Sequence, residues 1–66
     1  MPFSDFDLEN FEDLLLGSGD WFHAYLARLI AKADAMNRER IRLGFPDEVA
    51  AFERWQRTGN AMEAPR

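Results

Sequence analysis

The chain lacks cysteine altogether and has a single histidine, so two common ways of reinforcing a small fold are missing. Without cysteine there is no disulfide and no thiolate metal site, and one histidine cannot build a multi-histidine zinc site. A chain of 66 residues forms one domain at most and lies near the lower limit for independent folding. Exceptional packing or self-association is left as the source of stability, and we expect neither a metal nor a cofactor.

Strand-forming and membrane-spanning patterns are also missing. Residues with a branched β-carbon are few, and no stretch alternates between apolar and polar residues for long enough to form a strand. The longest segment without a charged residue, 21–27, is far shorter than the ~20 residues of a membrane span. The acidic start, MPFSDFDLEN, has no basic region and no apolar run of a secretion signal. We therefore expect a soluble, cytoplasmic protein.

The spacing of apolar residues is helical throughout, and it predicts a compact all-α bundle of three to four short helices. The first predicted helix covers residues 5–16. Ser4 and Asp7 have the spacing of a capping box at its start, and Gly17 is placed to end it in the left-handed conformation.

The second predicted helix starts near Ser18 or Asp20 and continues to about Ala33. It is the most strongly patterned segment of the chain, so we take it as the centre of the core. Its apolar residues fall on one broad face and are Trp21, Phe22, Tyr25, Leu26, Leu29, Ile30 and Ala33.

Two further helices complete the predicted domain, residues 1–58. Asp34 can cap a third helix that ends at Gly44, and Pro46 suits the first position of a fourth helix that runs to about Gln56. Residues 59–66 have no periodic apolar pattern, and we expect them to form a flexible C-terminal tail.

Charge is distributed unevenly. The first twenty residues carry no base and six acids, which are Asp5, Asp7, Glu9, Glu12, Asp13 and Asp20. Glu9, Glu12 and Asp13 in particular could imitate the spaced charges of a nucleic acid and enter a basic groove on a protein partner. The simpler interpretation is that these acids keep the outer helix face in water.

Aromatic residues are more numerous than so small a core can enclose. The sequence therefore predicts that some of them are exposed at an interface with a protein partner or with another copy of the chain. The best candidates are Trp21, beside Asp20, and Trp55, between Arg54 and Arg57. The alternative is one tight aromatic core.

The residues needed for catalysis are scarce. His23 is the one side chain that could act as a base near neutral pH, and we expect it to lie in solvent or at the rim of the core. Ser4 and Ser18 stand at helix-capping positions. The acids Glu9 and Glu12 stand at helical spacing but lack the converging ligands that a divalent cation needs. We expect no catalytic residue and no enzyme.

A different interpretation is a small DNA-binding regulator that uses the third and fourth helices as a helix-turn-helix. Five arginines could contact phosphates there: Arg38, Arg40, Arg42, Arg54 and Arg57. Asp47 and Glu48 open the fourth helix, where a recognition helix meets DNA, and the net charge of −4 is also unfavourable. We therefore expect no nucleic-acid partner.

Three strings resemble small accessory proteins of tailed bacteriophages: LIAKAD at 29–34, NRER at 37–40 and GFPDEVAAFERW at 44–55. The resemblance covers roughly residues 21–56, and one departure is Ala35-Met36, where we would expect Pro-Glu. These motifs are caps, stops and core anchors. The resemblance implies a viral origin and the host cytoplasm as setting, with a host-takeover, anti-defence or other accessory factor that docks on a host or phage protein.

Overall fold

Five helices pack around one apolar core in the computed structural model, which describes residues 3–62. No strand occurs within that range, so the all-α class is confirmed. The helices are α1 Asp5–Glu9, α2 Phe11–Leu16, α3 Phe22–Lys32, α4 Ala35–Gly44 and α5 Pro46–Thr58.

The number of helices exceeds the predicted three to four because the first predicted helix is divided at Asn10. The backbone of Asn10 has φ −114° and ψ 33°, outside the helical range. Its side-chain amide and its backbone N–H both donate to the carbonyl of Phe6, at 2.9 and 3.1 Å. This bend lets Phe3 and Phe11 both enter the core, with ring centroids 5.3 Å apart.

The caps confirm the predicted starts of two helices. The backbone N–H of Asp7 donates to Oγ of Ser4 at 3.1 Å, and that of Asn37 donates to Oδ1 of Asp34 at 2.8 Å. The start of α3 differs from the prediction, since Trp21 precedes its first residue and no side chain caps it.

Glycine has two different roles at helix ends. The left-handed stop predicted at Gly17 is wrong, because that residue is extended with φ −83°. Glycine is required at this position because a Cβ there would lie 2.6 Å from the carbonyl oxygen of Asp13. Gly59, after α5, is the residue with positive φ, at 78°.

α3 buries a different face from the one that its large residues predict. Leu26 and Ile30 lie in the core as expected, but the residues that join them are Ala24 and Ala27, both fully buried. These small side chains let α3 approach the neighbouring helices closely. The other large side chains of the predicted face are exposed to 45–61%, and they are Trp21, Phe22, Tyr25 and Leu29.

The segment after α5 packs on the bundle. Ala61 is 1% exposed, and its carbonyl accepts a hydrogen bond from Nε of Arg54 at 3.1 Å. The sequence predicts a flexible tail over residues 59–66; of these, residue 61 packs on the bundle, and residues 63–66 lie outside the described part of the chain. Within residues 3–62, no helix is long and apolar enough to cross a bilayer.

Candidate functional site

A surface hollow of about 680 Å³ runs between the α1–α2 pair and α5. We call it the acidic groove and define it by the side chains of Leu8, Glu9, Phe11, Glu12, Trp55 and Gln56. Residues 59–62 form its far end. The groove brings together three of the residues that the sequence predicts for partner binding: Glu9, Glu12 and Trp55.

Aromatic rings form the wall of the acidic groove. The rings of Phe11 and Trp55 lie 5.9 Å apart between centroids, and Phe52 supports both from the core at 6.4 and 6.1 Å. Phe11 is 2% exposed, whereas Trp55 is half-buried and presents part of its indole to the groove. The wall is thus held in place by core packing, which favours a preformed binding surface.

Two carboxylates stand on the rim. Glu9 and Glu12 are exposed, and among residues 3–62 neither takes part in an ion pair or a side-chain hydrogen bond. They are three residues apart across the bend at Asn10, so both charges stand at the same groove. This combination of negative rim and aromatic wall suits a cationic side chain, because a cation is attracted by both.

Asp13 and Trp21 lie at a different place from the acidic groove. They line a smaller hollow of about 160 Å³ together with Phe6, Leu14 and Gly19. Trp21 contacts the loop before α3 closely enough that a Cβ at Gly19 would collide with its ring at 2.5 Å. The candidates predicted from the sequence are therefore divided between two surfaces.

The two arginines beside Trp55 do not join it. Arg54 points to the other flank of α5, lines a hollow with Phe3 and Asp47, and donates to the carbonyl of Ala61. Arg57 is exposed in the last turn of α5. Neither arginine is among the residues that line the acidic groove, since successive residues of a helix point in different directions.

The arginines of α4 and α5 are largely engaged within the molecule. Arg42 donates to the carboxylates of Glu39 and Glu53, and these hydrogen bonds hold the pKa of both carboxyls below the ordinary value. The guanidinium of Arg38 lies 5.1 Å from the centre of the Phe52 ring. With Arg54 bound to a backbone carbonyl, three of the five arginines considered for DNA have internal contacts.

Sequence patterns missed two internal polar contacts. His23 is half-buried at the rim of the core, one of the two places expected for it, and its Nε2 lies 3.4 Å from Oε2 of Glu48, with the rings of Phe3 and Phe22 beside it. Glu48 is 2% exposed, although its place in the first turn of a helix is typical of a solvated acid. Glu48 stands at the spacing i, i+4 and i+7 with Phe52 and Trp55, so the period of α5 places it on the apolar face, and this signal could have indicated its burial.

Arg28 was also missed, and it holds the loop before α3. Its guanidinium donates to the backbone carbonyls of Leu14 and Gly19, at 3.2 and 2.5 Å. The same group lies 5.1 Å from the centre of the Tyr25 ring. Arg28 therefore fixes both the end of α2 and the orientation of an exposed aromatic side chain.

No cluster of three or more metal-ligating side chains occurs in residues 3–62. Comparison of the chain with protein-family models, with curated proteins and with solved structures gives no match.

Proposed function

We propose that this chain is a small, non-enzymatic protein-binding module that docks its acidic groove onto a basic segment of a protein partner. The observation that carries the proposal is the placement of Glu9 and Glu12 on the rim of a groove walled by Trp55. Charge indicates the two glutamates and aromatic content indicates the tryptophan, and all three side chains line one hollow.

A lysine or arginine side chain fits the chemistry of this groove. Its apolar stem can pack on Leu8 and Trp55, while its charged end contacts one carboxylate and the face of the indole. Arginine suits the site better than lysine, since its planar guanidinium can stack on an aromatic ring and donate to a carboxylate at the same time. The exposed acids also favour fast association with a basic surface.

Two alternatives have less support. A DNA-binding regulator would need the arginines of α4 and α5, yet Arg38, Arg42 and Arg54 already contact groups within the molecule. An enzyme would need a nucleophile or an accessible base, whereas His23 lies between aromatic rings and beside Glu48. The resemblance to phage accessory proteins favours a partner from the host cytoplasm or from the phage itself.

The proposal can be tested with a defined probe, a short peptide of alternating arginine and alanine. In a Trp21→Phe background, Trp55 is the remaining tryptophan, so its fluorescence reports on the acidic groove. We expect a saturable change in emission that weakens with added salt. Replacing Glu9 and Glu12 together with glutamine should weaken binding by about two- to thirtyfold, since an exposed ion pair contributes ~0.2–1 kcal/mol.

The matched control replaces Asp13 and Asp20 with asparagine. This double variant removes the same charge from outside the acidic groove, so it should bind the peptide nearly as well as the parent. Equal weakening by both double variants would mean that net charge alone attracts the peptide, and the groove proposal would then be wrong. Binding of duplex DNA at low salt with a Kd of about 10 µM or below would favour the regulator instead.

A further inference from the structure

We infer that the exposed side of α3 binds a second copy of this chain, with the two α3 helices antiparallel about a two-fold axis near Tyr25. We call this surface the α3 face and define it as Trp21, Phe22, Tyr25 and Leu29. It shares no residue with the acidic groove, so the inference does not depend on the function proposed above.

The α3 face is a continuous apolar stripe on the side of the helix opposite the core. Its residues have the spacing i, i+1, i+4 and i+8, which places them on one helix face. Phe22, Tyr25 and Leu29 are 61%, 58% and 55% exposed. Apolar side chains of this size that stand together on a helix indicate an interface.

The side chains of the α3 face are held by contacts within the molecule. Arg28 lies against the Tyr25 ring while it is bound to the carbonyls of Leu14 and Gly19. The ring of Phe22 lies 6.0 Å from that of Phe45, between centroids. Because these aromatic groups are already positioned, little conformational entropy is lost when a partner covers them.

Charge at the two ends of the α3 face has opposite sign. At the N-terminal end, Asp20 precedes Trp21, and Asp13 lines the hollow beside that ring. At the C-terminal end, Lys32 and Arg40 line a hollow of about 370 Å³.

An acid, Asp34, directly follows Ala33 at this end of α3. Its carboxylate accepts a hydrogen bond from the first turn of α4.

This polarity selects a second copy as the occupant. In a two-fold interface, residue i of one copy meets residue j of the other and the reverse contact is made as well. Positions 20 and 32 are symmetric about position 26, one residue from Tyr25, so antiparallel α3 helices that cross there bring Asp20, just before α3, close to Lys32 of the other copy, and this contact is made twice. The helix dipoles are also opposed in this arrangement, which is favourable. A parallel arrangement would instead place like charges together.

The available area suits a weak dimer. Three partly exposed aromatic side chains and one leucine leave roughly 350–500 Å² of apolar surface on each copy. With the usual share of polar rim, a two-fold interface would bury roughly 1,100–1,500 Å² in total, near the lower end for specific complexes. We therefore expect a dissociation constant in the micromolar range or above, roughly 1–100 µM.

Sedimentation velocity of the full chain from about 1 µM to 1 mM tests the inference. We expect the mass to rise from 7.7 kDa toward twice that value with increasing concentration, and to fall again at high salt. Leu29→Glu should weaken the dimer at least tenfold. Its matched control is Leu43→Glu, because Leu43 is an apolar residue on α4 that is 89% exposed and outside the α3 face. Circular dichroism checks that both variants keep the parent helix content.

A charge exchange tests the antiparallel arrangement itself. Asp20→Lys and Lys32→Glu should each weaken the dimer, and the double variant should recover most of the loss. A chain that stays monomeric to 1 mM, equal effects of Leu29→Glu and Leu43→Glu, or a double variant as weak as the single ones would each overturn the inference. Peptide binding at the acidic groove should be the same in Leu29→Glu as in the parent, which separates the two proposals.

Discussion

Arg42 joins α4 to α5 by donating from Nη1 and Nη2 to the two carboxylate oxygens of Glu53, at 3.1 and 2.7 Å. This ion pair is bidentate, and the same guanidinium also binds Glu39 within α4. No residue of α4 is buried, so this helix depends on partial packing of Ile41 and on such polar contacts. The attachment of α4 is therefore the part of the fold most exposed to changes in pH and salt.

Acid should weaken this attachment. The hydrogen bond from Arg42 lowers the pKa of Glu53 below its ordinary value of 4.5, so the folded state holds the ionised carboxylate more tightly than the unfolded state does. The contribution of this ion pair to the free energy of unfolding is complete above pH 4.5, and it is lost as the pH falls through the lowered pKa of Glu53. Glu53→Gln should lower Tm by about 1–5 °C at pH 7, and the difference from the parent should shrink on acidification.

Glu12→Gln is the control for this measurement, because Glu12 is an exposed acid on another helix. Thermal melts of the parent, Glu53→Gln and Glu12→Gln between pH 7 and pH 2.5 measure how each difference in Tm changes with pH. If Glu53→Gln and the parent differed by the same amount at every pH, the ion pair would not contribute as described.

Truncation of two leucines on α3 should separate the buried face from the exposed one. Leu26→Ala removes a side chain that is 5% exposed and should lower the free energy of unfolding by about 2–5 kcal/mol. Leu29→Ala removes one that is 55% exposed and should change it by no more than ~0.5 kcal/mol. The sequence alone predicts that either substitution unfolds the domain or lowers its Tm steeply. Urea denaturation at about 0.1 µM, below the dissociation constant expected for the dimer, provides the comparison, and equal losses would contradict the burial described here.

Two glycines should respond to alanine in opposite directions. Gly59→Ala places a Cβ in the left-handed region, at φ 78°, and should cost about 1–2 kcal/mol of folding stability. Gly44 ends α4 with open space around it, so Gly44→Ala should stabilise by about 0.4–1 kcal/mol through the lower entropy of the unfolded chain. Chemical denaturation measures both, and a stabilising Gly59→Ala would show that the left-handed turn is not maintained in solution.

Local signals in the sequence predicted local structure well. Ser4 and Asp34 cap the helices that follow them, and Pro46 opens α5, because these effects depend on residues within one turn. The division at Asn10 was not predicted, since the apolar spacing continues across it. The extended conformation of Gly17 was also missed. A side chain at this position would collide with the carbonyl of Asp13, and that carbonyl comes close only once α2 has formed.

The candidate site could be predicted residue by residue but not as an arrangement. Charge and aromatic content pointed to Glu9, Glu12 and Trp55, yet their meeting at one groove depends on how α1, α2 and α5 pack. The same packing removed Arg54 from the site by turning it toward Ala61. Residues near one another in sequence can therefore serve different surfaces.

By itself, the sequence determined the all-α class, the positions of most helix ends and the exclusion of a disulfide framework, because these follow from short-range periodicity and composition. Only the tertiary structure decided which side of α3 is buried. An apolar period identifies residues that prefer to leave water, but it does not say whether another helix or another molecule covers them. Close packing on Ala24 and Ala27 settled that choice and left Tyr25 and Leu29 on the surface.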